Sequence, residues 1–326
     1  MRRRATRWPT SVPAALVAAC ALLAPAAATA APARPAVTSG PAANVAQATA
    51  TLTGSVNPNE AATTYYFQYG STTLYGSETP HTDAGASNRR VAVAADIGGL
   101  APASTYHYRL VALNARGTVR GRDRTFRTQR QPLGLSLAAA PNPVAPGGAT
   151  TLAGTLSGTG NSGRQVVLQA NPFPYNLGFQ NASDVHMTNA QGGFAFPVLS
   201  VPINTQYRVV LPQNQAIQSP IIAVGVAPLV SARTKRVRRT PRGAIVRFSG
   251  KVRPAHDGAQ IAIQRLRRGA WVTISGTVAR HATAAYSRYS KRVRLRRGGT
   301  FRVFAGVTDG DHVPNTSRAL RVRVRR

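Results

Sequence analysis

The chain has 326 residues, and its 41 lysines and arginines against 9 acidic residues give a formal net charge of +32. So few carboxylates leave little material for paired-acid hydrolysis. The single cysteine, Cys20, excludes an intrachain disulfide framework and, beyond residue 20, any cysteine metal site or thiol nucleophile.

Residues 1–30 read as a secretory signal peptide. Arg2, Arg3, Arg4 and Arg7 make a basic start, 12–28 is apolar, and Ala28-Thr29-Ala30 offers the small residues a signal peptidase needs. Pro13 and Pro25 break the apolar run, against a membrane-spanning helix. No transmembrane segment is therefore expected after cleavage, and the mature chain is expected to be secreted or associated with the cell envelope. Val17-Ala18-Ala19-Cys20 has the form of a lipobox, which keeps lipidation of Cys20 open as an alternative.

Beyond the leader, short runs of alternating apolar residues are separated by Gly, Pro, Asn and Ser, which predicts an all-β chain. Residues 49–56 (TATLTGSV) lead into the turn Asn57-Pro58-Asn59. Residues 63–69 (TTYYFQY) and 91–97 follow as strands. Residues 105–113 (TYHYRLVAL) place Tyr106, Tyr108, Leu110 and Ala112 on one face and His107, Arg109 and Val111 on the other.

Leu100-Ala101-Pro102, Ser104-Thr105-Tyr106 and the run 108–114 resemble the turn into strand F of a fibronectin type III domain. The resemblance spans 35–128 and implies that Tyr106 is the tyrosine corner, its hydroxyl bonded to upstream backbone. Residues 55–70 (SVNPNEAATTYYFQYG) are similar to a bacterial variant of that family found in exported proteins. The usual strand tryptophan is missing, so residues 65–69 are expected to fill the core. Arg120-Gly121 is followed by Arg122, so adhesion through an integrin-binding tripeptide is not implied.

An internal repeat organises the rest. GRQVVLQ (163–169) parallels GAQIAIQ (258–264), LAGTL (152–156) parallels FSGKV (248–252), and QYRV (206–209) parallels TFRV (300–303), at nearly constant offset. The repeated unit resembles a bacterial immunoglobulin-like module. The expected architecture is a signal peptide, 1–30, followed by three tandem β-sandwich domains: a fibronectin type III-like domain at 31–130, an Ig-like sandwich at 131–228 and a basic Ig-like sandwich at 229–326. Linkers are expected at 129–132 and 226–231.

No constellation points to catalysis. Glu60, Glu78, Asp83, Asp96 and Asp123 fall in or beside predicted turns, the histidines lack zincin spacing, and no GxSxG, GxGxxG or phosphate-binding loop occurs. Asp309-Gly310-Asp311-His312 offers oxygen ligands for a calcium ion, but Gly-Asp alternation is equally a turn and the surroundings are the most basic of the chain. No catalytic residue, metal or cofactor is assigned, and an enzyme is not expected.

The charge is segregated. Residues 31–130 hold ten arginines against five acids, 131–228 hold two arginines against one aspartate, and 229–326 hold twenty-five lysines and arginines against three aspartates. Uniform codon bias would not leave the middle segment nearly neutral. In the last segment the cations alternate with apolar residues, which predicts a basic open sheet face. Its members would be Arg247, Lys251, Arg253, Arg292, Arg294, Arg296, Arg321, Arg323 and Arg325. The partner class expected is an anionic envelope polymer such as a teichoic-type phosphate polymer, an acidic polysaccharide or anionic lipid headgroups. Nucleic acid, engaged through phosphates, is a second class. A passive spacer with a solubilising charge is a third.

Overall fold

The computed structural model describes residues 33–241 and 243–324; the leader with Cys20, and Arg325, lie outside the described residues. The described chain is all-β, with no helix long and apolar enough to cross a membrane. It divides into two compact units, one formed mainly by 49–98 and 105–126, the other mainly by 127–324.

In the first unit, Ala36–Ser39, Ala50–Asn57 and Val91–Ile97 form one sheet. Thr63–Gly70 and Thr105–Asn114 lie at the centre of the other, paired antiparallel from Thr63↔Asn114 to Gly70↔His107. Alternation sends Leu52, Val56, Val93 and Ile97 inward from the first sheet and Tyr65, Phe67, Tyr108 and Leu110 inward from the second. Tyr65 and Phe67 thus supply the aromatic filling that the missing tryptophan leaves open. Val111, on the other face of its strand, is buried as well.

The second unit contains two sandwiches with separate cores. The middle one buries Leu152, Leu156, Leu168, Phe196 and Val209; the last buries Phe248, Val252, Ile263, Phe301 and Val303. The repeat read from the sequence recurs as strands: Gly148–Ser157 corresponds to Gly243–Arg253, Gln165–Pro172 to Gln260–Arg267, and Thr205–Leu211 to Gly299–Gly306.

One contact appears in all three sandwiches. A glutamine and an arginine face each other across two central strands, as Gln68↔Arg109, Gln169↔Arg208 and Gln264↔Arg302. Each arginine Nε donates to the glutamine Oε1, at 2.9, 2.8 and 2.7 Å respectively. Each guanidinium also lies over an aromatic ring, Tyr75, Phe179 or Trp271, within 4.5 Å of its centroid. A close approach recurs in the two later sandwiches: a Cβ on Gly154 or Gly250 would come within 2.0 or 1.8 Å of the carbonyl of Ser136 or Ser231.

The segment expected as a linker at 226–231 is buried over its first half, 226–228. Val226 is fully buried in the middle core, Ala227 is 7% exposed, and Leu229–Val230 already pairs with the last sandwich, Leu229 opposite Arg253. The peptide groups explain this. Val226 O accepts from Val313 N at 2.8 Å, Ala227 N donates to Val144 O, and Pro228 O accepts from Asn315 Nδ2 at 2.9 Å. Buried backbone groups need such partners, and here both sandwiches supply them.

Candidate anion-binding face

Strand Gly243–Arg253 turns Ala244, Val246, Phe248 and Val252 into the core, so Ile245, Arg247, Ser249, Lys251 and Arg253 point the other way. It is central in its sheet. Tyr286–Leu295 pairs on one side, with Arg280–Thr283 beyond it, and Arg233–Thr240 pairs on the other. The register stacks cations across strands. Lys235, Arg247 and Arg292 form one row, and Lys251, Arg288 and Arg280 form a second. Directly opposed side chains on paired strands lie about 4.5–5.5 Å apart at Cβ, so each row is a line of like charges at close spacing.

No carboxylate among the described residues pairs with those charges. Among the described residues every ion pair has a histidine as its basic member, and none engages a lysine or arginine of this face. Beside the second row lies a groove of about 520 Å³, lined by Arg233, Lys251, Arg253 and Arg288 together with Ser249 and Ser290. Tyr286 forms part of its wall, with Lys251 Nζ 3.8 Å and the Arg253 guanidinium 5.4 Å from its ring centroid. Beneath it Tyr289 is buried and donates to Ser231 O at 2.7 Å, and burial holds its phenol well above the ordinary range. The groove thus offers guanidinium and ammonium groups, hydroxyls and one aromatic wall, donor groups of the kind that pair with phosphate, sulfate or carboxylate oxygens.

The expected site residues divide. Arg247, Lys251, Arg253, Arg292 and Arg294 share this face, and Arg296 is exposed just past the end of its strand. Arg321 and Arg323 do not belong to it. Strand Leu320–Val322 pairs with Gly299–Gly306 in the opposite sheet, Thr300 facing Arg321, so the expectation of a single face holding all the cations is corrected. The reason is the connection after Gly306, which keeps the chain on the Gly299–Gly306 sheet instead of returning it to the basic one. Arg325 lies outside the described residues.

Sequence reasoning missed Arg233, Lys235, Arg280, Arg288 and Tyr286. Arg233–Thr240 reads RTKRVRRT, with no apolar alternation, and nearly all of it is exposed. Such a run reads as loop; it is a strand because it borrows its hydrogen bonds from Gly243–Arg253, and edge strands are where charge is tolerated. In the first unit, Tyr106 is half-buried with its ring stacked on Phe126 at 5.7 Å, and Tyr108, two residues on, donates to Gly40 O at 2.6 Å.

Two histidine–carboxylate groups also emerge in the last sandwich. Asp257 accepts from the Ser287 hydroxyl and lies 2.9 Å from His281 Nδ1, which holds its carboxyl below the ordinary range, the Ser287 bond being the main cause. The carboxylate sits between hydroxyl and imidazole, so the imidazole does not reach the serine proton as a nucleophilic triad requires. The other group joins His256 to the Asp309–His312 loop.

Paired antiparallel sheets over shared cores decide the fold. It is a β-sandwich, built from antiparallel sheets packed face to face. No family model and no curated protein matches the chain. Among solved structures it is similar to the FN1–FN3 domains of chicken CNTN1, at 15% identity over 90% of this chain and 99% of that one, TM-score 0.26. It is similar to a tetra-tandem repeat from the extending region of a large adhesion protein, at 14% identity over 88% and 74%, TM-score 0.26. Tandem domains of titin align at 15% identity over 89% and 99%, TM-score 0.36.

Proposed function

We infer that this is an exported, non-catalytic binding protein of three tandem sandwich modules, 31–130, 131–228 and 229–326, following a cleaved leader. Tyr106 serves as the corner tyrosine of the first module. The last module docks on an anionic polymer of the cell envelope or its surroundings through the outer face of its basic sheet. The observation that carries this reading is the pair of cation rows, Lys235–Arg247–Arg292 and Lys251–Arg288–Arg280, with no carboxylate among the described residues paired to them. Like charges opposed across strands cost folding stability. A bound polyanion removes that cost, and the concentrated field raises its local concentration and on-rate.

The test is binding of the purified protein to teichoic-type polymer, acidic polysaccharide, double-stranded DNA and acidic liposomes between about 50 and 200 mM salt. A footprint of five phosphate contacts gives a log–log salt slope on the order of −4. Replacing Arg247, Arg288 and Arg292 by glutamate is expected to weaken binding more than tenfold. Replacing Arg321 and Arg323, on the opposite sheet, serves as the control and leaves most of it. Equal loss from both sets means total charge and not this face, and tightest binding to DNA at every salt moves the function to nucleic acid. Absent binding to all four ligands leaves a passive spacer.

A further inference from the structure

Two of the three carboxylates in residues 229–326 sit together, beside the two buried histidines of that segment. His256 comes from the loop after Gly243–Arg253, whereas Asp309, Asp311 and His312 come from the loop after Gly299–Gly306. One donor atom from each of the four residues lies within 4.8 Å of the other three. The histidine side chains are 5% and 4% exposed.

The hydrogen bonds orient the donors. His256 Nδ1 lies 2.9 Å from Pro254 O, and a carbonyl only accepts, so Nδ1 carries a proton. Nε2 then faces Asp309 Oδ2 at 3.2 Å and Asp311 Oδ1 at 3.9 Å. A backbone carbonyl on one imidazole nitrogen, with the other turned to the ion, is the usual second support of a metal-ligating histidine. His312 Nδ1 lies 2.8 Å from Asp311 Oδ1, and its Nε2 is buried with no hydrogen-bond partner.

We propose that His256, Asp309, Asp311 and His312 form a binding site for a divalent transition-metal ion of the zinc type. Two imidazole nitrogens and two carboxylate oxygens make a borderline donor set that favours zinc, cobalt or nickel over calcium. Bonds of about 2.0–2.2 Å place tetrahedral donors about 3.3–3.6 Å apart; the present separations run from 2.8 Å for His312 Nδ1–Asp311 Oδ1 up to 4.8 Å, so an ion would open the closest pair and draw the farthest donors together. The site has a structural consequence. Gly310 O and Asp311 O accept from Asn204 Nδ2 and Asn204 N, at 2.9 and 2.7 Å, while Asn204 Oδ1 accepts from Val226 N. An ion gripping the Asp309–His312 loop therefore also fixes the seat of that loop on the middle sandwich.

Calorimetric titration of the untagged, chelator-stripped full chain with zinc chloride tests the site, with cobalt(II) absorption as a second readout of nitrogen and oxygen coordination. One equivalent of zinc is expected to bind, with a higher unfolding midpoint and slower hydrogen exchange at 309–313. Asp309→Asn changes the exposed carboxylate without altering shape, and His312→Gln removes a buried ligand. Each is expected to weaken zinc binding by more than about tenfold, whereas His281→Gln, outside the cluster, leaves it unchanged. Circular dichroism confirms that each variant is folded. No zinc or cobalt binding to the folded protein, or binding that Asp309→Asn leaves intact, would overturn the site and reduce the cluster to an ion pair.

Discussion

The middle and last sandwiches share a strand plan and differ almost entirely in what that plan presents to solvent. Where the middle one sets Thr151 opposite Pro197 and Ala153 opposite Ala195, the last sets Arg247 opposite Arg292 and Ser249 opposite Ser290. Most inward positions are apolar in both, Leu152, Leu156 and Phe196 in one and Phe248, Val252 and Val293 in the other, although the last sandwich sets the half-buried Lys291 opposite Phe248 where the middle one has Phe196 opposite Leu152. Both keep the Gln–Arg–aromatic contact across the second sheet. A half-buried sheet fixes one face by packing and leaves the other free. The chain has used that freedom once, concentrating its charge on a module whose neighbour stays nearly neutral.

Four substitutions probe the comparison from both sides. The largest effect belongs to what the two sandwiches share. Phe248 is fully buried against Phe301, with ring centroids 5.5 Å apart, and Leu152 is its fully buried counterpart. Phe248→Ala and Leu152→Ala are each expected to cost about 3–5 kcal/mol, read as a lower denaturation midpoint. A much milder result for Phe248 would mean that the basic module is not held by its core.

An intermediate effect is expected where the last sandwich adds a bond the middle one lacks. Tyr289 stands where the middle sandwich has Phe194, and only the tyrosine donates to a strand carbonyl, Ser231 O. Tyr289→Phe makes the two alike and is expected to cost about 1 kcal/mol, the net worth of one hydrogen bond. An unchanged midpoint in thermal unfolding would show that water replaces the bond at no loss.

The smallest effect has the opposite sign. Arg292→Thr breaks the Lys235–Arg247–Arg292 row and brings the position closer to its neutral counterpart. It is expected to stabilise the module by about 0.2–1 kcal/mol at low salt. The gain should vanish at high salt, where screening shortens the reach of the repulsion. Stabilisation independent of salt would assign the change to strand propensity and not to charge.

Much of this was legible in the chain itself. Alternation of apolar and polar residues at Val246, Phe248, Val252, Val293 and Leu295 gives strands and their buried faces, because the period of two is a local property of extended backbone. The offset repeat gives corresponding strands in two sandwiches, and the segregation of charge marks the last one as unusual. The highly charged run at 233–240 was illegible as a strand, since its pairing comes from a neighbour and not from its own pattern.

What only the tertiary structure decided is which residues meet. Arg247 and Arg292 oppose one another because of hydrogen-bond register, and Arg321, with the same local alternation, falls on the other sheet because its connection does not cross over. His256 lies more than fifty residues before Asp309, Asp311 and His312, and no spacing in the sequence couples them. Two loops emerging at one end of the sandwich bring them together. Local patterning is written in consecutive residues; register, crossover and loop convergence are set by long-range pairing, which consecutive residues do not encode.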